Sequence, residues 1–278
     1  MPRYGFNLQW LFQRDRGVGD PDVRVLDAIA AWGFDFVRLP MDYRTWAVGG
    51  DPRRADEQVL GAIDAALEAR RARDLHLCLA LHRAPGYSII GWESEPYDLW
   101  SDVRVQDDFV LTWERFASRY AAESPEVLSF DLVNEPPELG LRGFTRDAHE
   151  AVVRRTVAAI RVVSPHRPLV LDGLDGGNLA MPELADLGTT QSVRGYQPMR
   201  VSHSGAPWWP PAALLEPPAG ATVTHGSKQT RHGMAGDGPV ARSATGVRAH
   251  RRRRDVDPPV CRGRADTGGG ADGGMAAR

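Results

Sequence analysis

From Pro217 to Arg278 the chain contains no Leu, Ile, Phe, Tyr, Trp, Glu or Asn. No other feature limits the fold so sharply. A segment without large apolar side chains cannot bury enough surface to offset the entropy of ordering it. Residues 217–278 are therefore expected to form a disordered Gly/Arg/Ala/Pro-rich tail, and residues 1–216 to hold the one folded domain. Charge divides at the same place. The tail has Lys228 and ten Arg against five Asp, a net of +6, so residues 1–216, which lack Lys entirely, carry −8 of the chain's −2 total. Two origins fit such a tail. One is a natural basic extension that contacts nucleic acid or acidic surfaces. The other is a reading-frame slip, because GC-rich DNA read out of frame yields Arg, Gly, Ala and Pro. The abruptness of the change after Trp208-Trp209-Pro210-Pro211-Ala212-Ala213-Leu214-Leu215 favours the slip. The absence of aromatic residues to stack on bases argues against specific nucleic-acid binding.

Before the break, strand-like and helix-like segments alternate. Gly5–Trp10, Phe34–Pro40, Leu75–Leu81, Leu128–Val133, Pro168–Asp172 and Ser192–Gln197 read as strands. Pro21–Trp32 (with Asp20 as N-cap and Gly33 as stop), Pro52–Arg73, Val105–Ala122 and Thr145–Val163 read as helices. The stripe Phe109, Trp113, Phe116 and Tyr120 has helical spacing and is expected in the core. Repeating strand–helix units imply a parallel sheet under helical cover. The polar residues Arg38, His82, Asn134, Glu135, Asp172 and Tyr196 all fall at C-terminal strand ends, the face on which (β/α)8 barrels build active sites. The first turn, Leu11–Gly19, lacks the G-x-G-x-x-G of many doubly wound sheets. The expected fold is α/β, an incomplete (β/α)8 TIM barrel of about six units, since a full barrel needs eight and typically ~250 residues.

Two cysteines exclude a disulfide framework and offer no zinc spacing; Cys78 reads as core and Cys261 falls in the tail. No apolar run reaches membrane-spanning length. No signal peptide precedes the first strand, so a cytoplasmic location is expected as written, and secretion if translation starts further upstream. No cofactor is expected, and the domain reads as a monomer.

The chemistry centres on Leu128-Ser129-Phe130-Asp131-Leu132-Val133-Asn134-Glu135-Pro136. An apolar alternating run ends in Asn-Glu-Pro, and proline has no N–H for a ladder. A carboxylate at the mouth of a buried strand is costly and suited to chemistry. Glycosidic bond cleavage commonly uses two carboxylates, one of them protonated to assist the leaving oxygen. Glu135 fits that donor. Asn134 suits a sugar hydroxyl, Arg38 can hold an anionic nucleophile ionised or form an interior ion pair with Glu135 or Asp131, and His82 can meet sugar hydroxyls. Trp10, Trp46, Trp92, Trp100, Trp208 and Trp209 are candidates to stack on sugar faces, with loop packing as the competing reading. Asp42, Asp172 and Asp175 read as solvated loop ends.

Five ordered segments carry a resemblance. They are Gly33-Phe34-Asp35-Phe36-Val37-Arg38-Leu39-Pro40, Leu81-His82-Arg83-Ala84-Pro85-Gly86-Tyr87, Phe130-Asp131-Leu132-Val133-Asn134-Glu135-Pro136, Arg194-Gly195-Tyr196-Gln197-Pro198 and Ser202-His203-Ser204-Gly205-Ala206-Pro207-Trp208. Over about residues 4–210 the chain resembles glycoside hydrolase family 5, the cellulase-like family of (β/α)8 retaining glycosidases. The resemblance implies that Glu135 is the general acid/base, that Asn134 binds the sugar 2-hydroxyl, and that Arg38 supports the nucleophile. It implies substrate contacts for His82, His203 and Trp208, and places Tyr196 near the nucleophile. The implied substrate is an oligo- or polysaccharide: β-linked glucan, mannan or smaller glucosides.

Two departures stand out. Arg194 occupies a position where many members carry His. The family's nucleophile is a Glu ending the seventh strand, and no Glu follows Glu216, which is flanked by Pro217 and sits in no strand pattern. Retaining hydrolysis needs the two carboxyl groups ~5–5.5 Å apart. The expectation is a glycosidase by family that is inactive or nearly so as written. A non-catalytic carbohydrate-binding protein is the alternative from a different class.

Overall fold

A computed structural model describes residues 3–12, 22–203 and 206. Trp208, Trp209, Cys261, Asp20 and the whole 217–278 segment lie outside the described residues. Six strands run parallel: β1 (Gly5–Asn7), β2 (Phe36–Asp42), β3 (His76–Ala84), β5 (Leu128–Asp131), β6 (Leu169–Asp172) and β7 (Thr190–Ser192). The short β4 (Tyr87–Ser88) folds back antiparallel on β3. The sheet order is β1-β2-β3-β5-β6-β7, the order of the chain. A doubly wound sheet would reverse at a switch point; a sheet that only advances is the path of a barrel, here an incomplete TIM barrel.

Helices α1 (Val23–Ala31), α2 (Glu57–Arg71), α3 (Val103–Arg119) and α4 (Arg146–Val163) make the crossovers. Each starts where a short polar side chain accepts an orphan N–H: Asp22 from Arg24, Asp56 from Gln58, Asp102 from Arg104 and Thr145 from Ala148. Asp22 is thus the cap of α1, two residues later than the Asp20 expected from sequence. Gly33, at φ +81°, ends that helix in a backbone conformation that favours glycine.

The α3 stripe is core: Phe109, Trp113, Phe116 and Tyr120 are all buried. Trp113 also donates its indole N–H to the Leu132 carbonyl at 3.1 Å, fastening α3 to the chain just past β5. Cys78 is buried in β3, and burial pushes its thiol up to about 12. Three of the proposed sugar platforms are also core. Trp46 meets Phe116 edge-on, while Trp92 and Trp100 pack edge-on against Tyr87, and all three are buried. Their long loops fold back on the barrel rather than presenting rings to solvent. Trp10 is partly buried against the same core.

Strand bounds differ from the sequence reading: β1 ends at Asn7, β2 runs through Pro40 to Asp42, and β3 extends to Ala84. The strand β7 occupies Thr190–Ser192 rather than 192–197, because the Arg194 N–H leaves the ladder for the Gly177 carbonyl at 2.9 Å. β5 stops at Asp131, although Leu132 and Asn134 still donate to Val170 (3.2 Å) and Leu81 (2.9 Å) on the flanking strands.

Candidate active site

Arg38, in the first half of β2, joins Asn134, Glu135, Asp172, Arg194 and Tyr196, at and just past the C-terminal ends of β5, β6 and β7, in one hydrogen-bonded group. Glu135 sits at φ +47°, a sparsely populated backbone conformation for a residue with a Cβ. Its surroundings hold it there. Its N–H donates to Asp172 Oδ2 at 3.0 Å, and its carbonyl accepts from the Tyr87 hydroxyl at 2.6 Å. On the following turn, Asp175 N–H and Gly176 N–H donate to the carbonyls of Pro137 and Pro136. The Glu135 side chain is gripped as well: Oε1 accepts from Tyr196 Oη at 2.8 Å and Arg194 Nε at 2.9 Å.

Arg38 is committed to structure. Its Nε donates to Asp131 Oδ2 at 2.8 Å and its Nη2 to Asn134 Oδ1 at 3.1 Å. Asp131, the ion-pair partner weighed from sequence, is fully enclosed. Burial, then the neighbouring Asp172 carboxylate, raise its pKa to about 6 against the opposing pull of Arg38 and Arg194. Asn134 Oδ1 accepts from both Arg38 and Arg194 (3.2 Å). Guanidinium groups only donate, so the amide is fixed with its oxygen between them. The Asn134 Nδ2 is then buried with no partner among the described residues.

His82 lies beside this group, half-buried, with its ring edge-on to Phe12 at 4.4 Å. Burial, reinforced by Arg38, Arg194 and Arg83, lowers its pKa to about 4, which makes it a neutral imidazole. Tyr196 Oη is pushed up to about 12 by burial and by the Glu135 carboxylate, so it remains a donor. His203 packs edge-on against Tyr196 at 5.0 Å and shares a 2.8 Å contact with the Ser202 hydroxyl.

Asp172 and Asp42 are not solvated loop ends, as their sequence positions suggested; each is 1 % exposed. Asp172 pairs with Arg194 and carries the Glu135 N–H. Asp42 accepts from Arg44 in a second buried cluster, where Arg83 pairs with Glu95 and Tyr43 donates to Glu95 at 3.0 Å. Asp175 is exposed as expected. Sequence reasoning missed the Arg83–Glu95 pair because its members are twelve residues apart across an irregular loop. Among the described residues no group of three or more His, Cys, Asp or Glu is placed to hold a metal ion.

Residues 4–204 match the family model described as cellulase (glycosyl hydrolase family 5). The chain belongs to glycosyl hydrolase family 5. It is 28 % identical over 201 residues to Cellodextrinase A of Ruminococcus flavefaciens, covering 70 % of this chain and 56 % of that protein. Endoglucanase C of Acetivibrio thermocellus is 31 % identical over 190 residues, covering 66 % and 52 %. This family 5 chain therefore spans little more than half the length of those curated relatives. A crystal structure of a glycoside hydrolase superimposes with a TM-score of 0.73 at 51 % identity, over 75 % of this chain and 64 % of the other. Cel5A from Thermotoga maritima, at 20 % identity and a TM-score of 0.60, covers 75 % and 65 % and shares the fold.

Proposed function

We propose that this family 5 chain carries the sugar-binding and proton-donor part of a retaining glycosidase for β-linked glucan, mannan or related saccharides. The observation that carries the reading is the Asn134 amide. Two guanidiniums hold its oxygen, and its buried Nδ2 has no partner among the described residues. An unsatisfied buried donor costs about 1–3 kcal/mol, and a sugar hydroxyl beside Glu135 would relieve that cost.

In the retaining mechanism a nucleophilic carboxylate attacks the anomeric carbon while Glu135 protonates the departing oxygen. Glu135 then takes a proton from the water that releases the sugar from the nucleophile. Tyr196 and Arg194 orient the Glu135 carboxyl group, and neutral His82 adds a hydroxyl partner. The first step has no family-type Glu to begin it, because none follows Glu216. The chain as written is therefore a binder with little or no turnover, and a reading-frame slip near residue 216 would account for the lack of a family-type Glu beyond it.

The test pairs calorimetric titration of cellotetraose and mannotetraose with chromatography of the mixtures. Saturable binding without products is expected, with weaker binding by N134A. Efficient hydrolysis abolished by E135Q would refute the loss of turnover; no binding of either sugar would refute the site. At the DNA level, a shift of one or two bases near codon 216 should restore a strand ending in Glu, and failure of both frames to do so rules out the slip.

A further inference from the structure

Arg194 has no donor left for a ligand. Its Nε–H bonds Glu135 Oε1 at 2.9 Å, Nη1 bonds Asp172 Oδ1 at 3.0 Å and Ser192 Oγ at 2.7 Å, and Nη2 bonds Asn134 Oδ1 at 3.2 Å and Asp172 Oδ2. A guanidinium offers five N–H bonds, and each has a partner. The acceptors come from the ends of three neighbouring strands, β5, β6 and β7. Lysine could not replace this fork, since one compact ammonium has three donors and no fixed plane.

The backbone makes room for the side chain. Gly177, at φ +90°, lies against its stem: a Cβ there would stand 2.5 Å from Arg194 Cγ and 3.3 Å from its Cβ. The Arg194 N–H also bonds the Gly177 carbonyl at 2.9 Å. Gly177 thus provides both the left-handed turn and the slot.

We propose that Arg194, seated on Gly177 and paired with Asp172, is a positioning residue that locks the side chains of Glu135 and Asn134 into one unit and does not itself touch the sugar. Its consequence for binding rests on the sugar-binding reading above; the locking itself is a property of the ligand-free protein. Without Arg194, Asn134 keeps one guanidinium on its oxygen and can turn, and Glu135 keeps only Tyr196.

The experiment uses the full chain labelled with nitrogen-15, as wild type and as R194Q, R194K, G177A and G188A. Gly188 is a strain control: it too has positive φ (+62°), but a Cβ there meets nothing within 4 Å. The readout is hydrogen exchange of the Asn134 side-chain amide, assigned with N134D, in the absence of sugar. R194Q and G177A are each expected to speed that exchange by about tenfold or more, because the amide gains freedom to open. G188A leaves it unchanged, and R194K recovers only part of the protection. Unchanged exchange in G177A, with a folded signature by circular dichroism, overturns the proposal whether or not R194Q folds. Cellotetraose titrations follow, in which both variants lose about tenfold in affinity, or about 1.4 kcal/mol. Faster exchange in the variants, combined with a wild type that binds neither cellotetraose nor mannotetraose, upholds the locking and overturns the sugar-binding reading instead.

Discussion

Arg167 gives the sharpest test of what holds the sheet to its helices. It is 3 % exposed, and its guanidinium lies at the N-terminal end of β6. It donates to four backbone carbonyls: Tyr120 and Glu123 at 2.8 Å, Leu128 at 3.1 Å and Ser124 at 3.3 Å. Three of these belong to the end of α3 and the turn after it, and the fourth begins β5. The side chain also lies over the Phe130 ring at 5.4 Å. In R167A the Tyr120 and Ser124 carbonyls keep other donors, the N–H groups of Glu123 and Val127. The loss therefore falls on the Glu123 and Leu128 bonds and on the Phe130 contact. Hydrogen bonds from a charged donor contribute about 1.5–3 kcal/mol each, so two amount to roughly 3–6 kcal/mol. Burial itself lowers the Arg167 pKa, which marks an opposing desolvation cost that the variant no longer bears. A net destabilisation of about 3 kcal/mol remains, a large share of the ~5–15 kcal/mol available to a domain. Urea unfolding followed by tryptophan fluorescence reads it directly. R167K should lose roughly half as much, because an ammonium cannot span four carbonyls. A midpoint in R167A within about 0.5 kcal/mol of wild type would show that these bonds contribute nothing net.

Further outcomes follow from the same geometry. His76, His82 and His149 are all held near a pKa of about 4 by burial, so as pH falls from 6.5 the unfolded chain takes up protons that the folded chain refuses. Asp131, raised to about 6, acts in the opposite sense, its contribution being gained as pH falls through 6. Three groups outweigh one, so urea midpoints should drop between pH 6.5 and 4.5; a flat or rising profile contradicts the burial of the imidazoles. G86A should cost about 3 kcal/mol or more, from a left-handed backbone plus overpacking, because its Cβ would meet Val105 Cγ1 at 2.5 Å and Leu99 N at 2.7 Å. G33A, with positive φ and open space, should cost only about 1 kcal/mol; equal losses in paired melts would contradict the packing of the β3–α3 loop.

The alternation of strands and helices made the barrel path legible before any coordinate, but proline did not mark the strand ends, since β2 runs through Pro40 to Asp42 and β5 stops at Asp131, well before Pro136. The α3 stripe was legible too, since helical spacing and burial are the same fact seen twice. What sequence could not show was partnership between distant polar groups. Asp172 reads as a polar residue after an apolar run, and nothing local distinguishes a solvated carboxylate from one that meets an arginine twenty-two residues later. For the tryptophans the structure shows the competing reading, loop packing. Trp46, Trp92 and Trp100 sit in loops, and loops usually lie on the surface, but these fold inward to fill space between strand ends and helices. Arg194 was visible as a departure from the family pattern. Its meaning depended on Gly177, whose role is spatial and carries no chemical signal of its own.

The charge balance of the centre bears on whether it can be completed. Asp131, Asp172 and Glu135 face Arg38 and Arg194, three carboxylates against two guanidiniums. The excess negative charge has a place to go: Asp131, whose Oδ1 is buried without a partner among the described residues and whose pKa lies near 6. A family-type nucleophile would add a fourth carboxylate to the same two arginines, and like charges in a shared site disfavour joint ionisation. Burial and Asp172 already raise the pKa of Asp131, and a further carboxylate would raise it more. Protonation of Asp131 would release Arg38 from its strongest partner and turn it toward the newcomer. Carbon-13 titration of Asp131 would then show a higher apparent pKa in a variant that carries a family-type Glu at this centre, and an unchanged value would mean that Arg38 serves the barrel rather than the chemistry.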